Sequence, residues 1–144
     1  MSYGLRMLVD IAERSISDSP FLDPTTAVQA IDRLYDCLRQ LAPRPFPDGQ
    51  HRDSKGVVRL VTQFMTWEDY VHLAFDEIRI AGAGSPQIAR RLRAALEDLL
   101  TVAPEERKAC LQEQLDLLKA GVKEAMSDPR DRSYLSRGDR SGIG

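Results

Sequence analysis

Apolar residues recur at helical spacing along most of this chain. Leu5, Leu8, Val9, Ala12 and Ile16 form one stripe, which predicts a first helix from about Gly4 to Ser17. "SDSPFLDP" ends it, because Pro20 and Pro24 push the residues before them out of the helical region. Asp23 is a good N-cap and Pro24 suits a first helical position, so a second helix starts there. Its buried face is Val28, Ile31, Leu34, Tyr35, Leu38 and Leu41, and the prolines at 43, 45 and 47 end it. A third helix follows Thr66, where Thr66 and Asp69 are spaced as a capping box, and buries Trp67, Val71, Ala74, Phe75 and Ile78. "AGAGSP" ends the third helix, and Ser85 with Pro86 caps a fourth that buries Ile88, Leu92, Ala95, Leu96 and Leu99. Pro104, Glu105 and Glu106 open a fifth, whose stripe of Leu111, Leu115, Leu118, Val122 and Ala125 runs to about Met126.

One segment follows a different period. In "DGQHRDSKGVVRLVTQF", Ser54-Lys55-Gly56 reads as a tight turn and Val57 to Thr62 as a short strand. A lone two-stranded hairpin is marginal in water, so it is expected to pack on the helices. The fold class is therefore all-α in the main: a five-helix bundle with a small β-hairpin inserted at about residues 50–63. Residues 1–126 make the helical domain, and the polar stretch 127–144, rich in Gly, Ser and Arg, is expected to be an irregular tail.

Composition narrows the class of protein. At 144 residues, 42% hydrophobic and 29% charged, the chain has the proportions of one ordinary globular domain. A net charge of −2 offers no global attraction to nucleic acid. No apolar run reaches the roughly 20 residues that span a bilayer. Cys37 and Cys110 lie far apart in helical patterns and read as free thiols of a reducing compartment, which suits a soluble cytoplasmic chain.

The first helix carries a second feature. At about 100° per residue, Met7 and Ile11 point well away from the Leu5–Ala12 stripe. Arg6, Asp10 and Arg14 follow one another at i, i+4, i+8. An apolar helix on two faces, with almost no polar lead-in, is expected to be covered by something outside the bundle. The plainer alternative is scattered surface apolars and solvated ion pairs.

Here the residues carry a likeness. "YGLRMLVDIAERSIS…DPTTAVQAIDRL" resembles the F-G-L-R-x-L-V-D-I-A-x-R signature of a family of predicted bacterial integral-membrane proteins, catalogued as domain of unknown function 2254. "AFDEIRIAGAGSPQIARRL" resembles its A-F-D-x-I-R block, and "DSKGVVRLV" its hairpin between the blocks. The resemblance covers residues 3 to about 100, with a fainter echo in "DPRDRSYLSRGD". Two departures stand: the loop before Asp23 is one residue longer, and Leu22 replaces the family's usual Asn. The resemblance implies a parent with membrane-spanning helices and a large soluble part on the cytoplasmic face of the inner membrane, of which this chain is the C-terminal portion. Met1 then stands where an upstream continuation would run. The family brings no activity with it.

Three functions remain open on these residues. The leading one is a non-enzymatic interaction or regulatory domain, self-associating or docking on its parent through Met7, Ile11, Arg6, Asp10 and Arg14. The second is a ligand-sensing domain whose pocket gathers Arg6, Asp10, Asp76 and Arg79, given that the first and third helices are neighbours. The third is an enzyme using the same carboxylates. Asp23 heads a helix whose free N–H groups suit an anion, but its own carboxylate caps them and repels one. His51 and His72 lie on different elements with no partner at metal-binding spacing, so no metal or cofactor is assigned. Arg90, Arg91 and Arg93 read as a solvated basic face of the fourth helix, diluted by Glu97 and Asp98.

Overall fold

The computed structural model describes residues 2–17 and 23–134. The chain order is α1 (Ser2–Ser17), α2 (Pro24–Leu41), β1 (Gln50–Arg52), β2 (Val58–Val61), α3 (Trp67–Gly82), α4 (Pro86–Val102), a single 3-10 turn (Glu105–Arg107), α5 (Lys108–Ala125) and α6 (Pro129–Tyr134). It is the expected helical bundle with one antiparallel hairpin. α1 packs on α2 and α3, α2 on α4, and α5 on α3 and α4. One continuous core runs through all five long helices, from Leu5, Val9 and Ala12 to Leu111, Leu115 and Leu118.

The helix starts follow their caps. Asp23 accepts from the Thr26 N–H at 3.1 Å, and its carboxyl is held below the usual range chiefly by the Thr26 hydroxyl. Thr66 and Asp69 close a full capping box: Thr66 Oγ1 accepts from the Asp69 N–H at 3.2 Å and Asp69 Oδ2 from the Thr66 N–H at 2.8 Å. Ser85 holds the N-cap position of α4, but its side chain makes no capping bond; Pro86 supplies the pre-set backbone. Gly82, the last residue of α3, lies where a side chain would crowd α4: a Cβ there would stand 2.4 Å from Ile88 Cγ2.

Four expectations are corrected. Glu105 and Glu106 do not open α5; they form the 3-10 turn, and the helix proper starts at Lys108. Ala125 is exposed rather than part of the α5 stripe. The tail is not wholly irregular: Asp128 binds the Arg130 N–H at 2.8 Å with its side chain, and α6 follows. Residues 135–144, like Pro20 and Leu22, lie outside the described residues. Finally, the hairpin forms with the predicted turn, Gly56 N–H to Asp53 C=O at 2.9 Å, yet every residue of both strands is exposed. It is tied to its own base by Gly49, whose φ of 74° and lack of Cβ let its carbonyl accept from the Thr62 N–H at 2.8 Å.

Candidate functional site

α1 is an edge helix, and its geometry explains its two-sided sequence. Leu5, Val9 and Ala12 are buried against α2 and α3. Tyr3, Met7 and Ile11, one per turn on the opposite side, are 77%, 49% and 45% exposed. Arg14 stands exposed among them. Beside this ridge lies an open groove between α1 and α2 of about 520 Å³, lined by Leu8, Ile11, Ala30, Asp32, Arg33 and Asp36 among others. Ridge and groove therefore share one surface, the ridge flanked by Arg14 and the groove walled by Asp32, Arg33 and Asp36.

The four charges proposed as one pocket fall into two clusters. Arg6 bridges Asp10 on its own helix at 3.3 Å and reaches across to Glu77 of α3 at 3.1 Å. The other oxygen of Glu77, Oε2, is shielded from solvent and has no hydrogen-bond partner among the described residues. Asp76 and Arg79 turn toward α5 instead. There the fully buried Gln114 donates to Asp76 Oδ1 at 2.6 Å and accepts from Arg79 Nε at 3.0 Å. His72 Nδ1 completes that cluster, 3.1 Å from Asp76 Oδ2 and 3.2 Å from Gln114 Nε2. Helices α1 and α3 are neighbours, as the pocket idea required, but at about 100° per residue α3 turns Glu77 toward α1 and Asp76 and Arg79 toward α5. The geometry is that of two interhelical clamps.

Two further polar links were not legible as such. Arg91, read as part of a solvated face, is 1% exposed and paired with Asp32 of α2. Tyr35 donates to Asp98 Oδ2 at 2.6 Å and receives from Arg39 at 2.6 Å, joining α2 to α4. Burial, then the Asp98 acceptor, pushes the Tyr35 hydroxyl above its ordinary range. The usable signal for Gln114 was its place: it is i+3 from Leu111 and i−4 from Leu118, an apolar position holding an amide. Nothing marked Glu77 as the partner of Arg6.

Comparison with known proteins bears on the same region. A family model described as a predicted membrane protein, domain of unknown function 2254, matches residues 1–98. The chain belongs to this family. The family's match takes in α1, α2, the hairpin, α3 and the first three-quarters of α4. Uncharacterized proteins from Mycobacterium bovis and from two strains of Mycobacterium tuberculosis are each 31% identical over 137 residues. The alignment covers 92% of this chain but 26% of each relative, so the chain spans about a quarter of their length. No solved structure matches the chain. Among the described residues, no helix is long and apolar enough to cross a membrane.

Proposed function

We propose that this chain is a non-enzymatic interaction domain of a bacterial membrane protein, carried on the cytoplasmic face, and that it pairs with a second copy of itself through α1. The observation that carries the reading is the α1 surface: an exposed Tyr3–Met7–Ile11 ridge beside an open groove of mixed apolar and polar lining. Ridge and groove on one face are self-complementary, which is what a two-fold contact between identical chains requires. The division of Arg6, Asp10, Asp76 and Arg79 into two clamps favours interaction over ligand sensing or catalysis.

The test is the mass in solution across a concentration series, for the parent sequence and for Met7→Asp with Ile11→Asp. The expected result is a dimer at high concentration that becomes monomeric in the double variant, with the thermal midpoint nearly unchanged because both side chains are exposed. A monomer at every concentration, or a dimer indifferent to both changes, overturns the reading. Burial of the two side chains only in longer family members would assign α1 to the rest of the polypeptide instead.

A further inference from the structure

The hairpin is exposed on both faces, and its composition is not that of a solvated loop. Val57, Val58, Leu60, Val61 and Phe64 all stand in solvent, with Leu60 55% and Val61 66% exposed. Five large apolar side chains stand exposed within eight residues, spread over both faces of the hairpin, which is more apolar surface than a solvated loop needs. Cations are interleaved with them. Between residues 44 and 64 stand Arg44, Arg52, Lys55 and Arg59 against only Asp48 and Asp53, in a chain whose net charge is −2. Asp53 is turned inward: it accepts from the Lys55 N–H at 2.9 Å, the Val57 N–H at 3.0 Å and Arg59 Nε at 2.8 Å. Its charge holds the turn together, while Lys55 projects from the exposed tip.

We propose that the β1–β2 hairpin is a peripheral membrane contact, which seats its apolar side chains among the headgroups of an acidic phospholipid surface while Arg52 and Lys55 meet the phosphates. Apolar side chains interleaved with cations are the composition that binds the interface of an anionic bilayer. The charge complementarity is local, since the cationic hairpin belongs to an otherwise acidic chain. The depth is limited by the backbone. The sheet has two strands, so each keeps an edge of unpaired N–H and C=O groups, and these exclude it from the hydrocarbon core but not from the hydrated headgroup layer. A domain of a membrane protein lies near a bilayer, which makes even weak contact of this kind effective.

Sedimentation with vesicles tests this directly. Vesicles of phosphatidylglycerol mixed equally with phosphatidylcholine are expected to carry the protein down, and pure phosphatidylcholine vesicles are not. Leu60→Ser with Val61→Ser is expected to lower the bound fraction about tenfold or more without changing the circular dichroism. Arg52→Gln with Lys55→Gln is expected to weaken binding and flatten its dependence on salt. Absence of binding to the anionic vesicles, or binding that survives the two serine substitutions, overturns the proposal. So does a serine variant that loses self-association in vesicle-free solution when neither protein sediments with lipid, since the hairpin would then be a surface between copies.

Discussion

Gln114 shows how much a single side chain holds in this bundle. Its amide lies fully buried between α3 and α5 and serves Asp76, His72 and Arg79 together. Gln114→Met fills the space but removes a donor from Asp76 and an acceptor from Arg79, leaving Asp76 its His72 contact and the longer Asp76–Arg79 pair. The expected loss is about 1–3 kcal/mol in urea denaturation, more than the same change at an exposed position of α5. A loss no larger than that control would show that water replaces the amide at no cost. The sequence marked the apolar members of the core almost without error: Leu34, Leu38, Phe75, Ile78, Leu96 and Leu99 are all fully buried at the positions their spacing assigned. It did not mark Arg91 or Gln114 as buried. Periodicity reports which face a residue occupies, whereas the partner that permits a buried charge, here Asp32 on α2, lies fifty-nine positions away.

At the scale of elements, caps were legible because they are written within four residues. The Thr66–Asp69 box at the head of α3 is the clearest case. Thr66→Ala is expected to cost about 1 kcal/mol by urea denaturation at neutral pH. The Asp69 carboxyl adds a pH dependence, because the Thr66 N–H and hydroxyl hold it below its ordinary value. A carboxyl with a lowered folded pKa contributes stability that is complete above the ordinary carboxylate range and fades as pH falls through it. Asp69→Asn is therefore expected to destabilise at neutral pH and to matter less near about pH 3. An equal effect at both values would remove the carboxylate's charge from the account. Where local signals gave out, the cause was competition between them. The acidic Glu105 and Glu106 announce a helix start, but the turn tightens to 3-10 and Arg107 spends its guanidinium on the Ala42 and Leu41 carbonyls at the end of α2. The hairpin's existence was legible from Ser54-Lys55-Gly56; its detachment from the bundle was not, since strand alternation says nothing about what faces it.

Across the whole molecule, the helices and the hairpin behave as separate units of stability. The core is built from α1 to α5, and none of its buried members comes from β1 or β2. Replacing the strands and their turn, Gln50 to Val61, by a short Gly-Ser connection is therefore expected to leave the denaturation midpoint of the bundle within about 1 kcal/mol of the original. Circular dichroism on urea titration checks it, and a collapse of helical signal would mean that the hairpin supports the helices after all. This separation is why α1 and the hairpin can be assigned different surfaces of contact, a second chain for one and a lipid headgroup layer for the other.

The corner between α3 and α4 carries a consequence for the lineage of such chains. Gly82 and Ile88 press together so closely that the hydrogen of a glycine is all the room there is. Any descendant that gains a methyl at position 82 has to surrender bulk at position 88, or splay the two helices and loosen everything stacked behind them. A methyl at position 82 is therefore expected to be tolerated best when position 88 carries a smaller side chain.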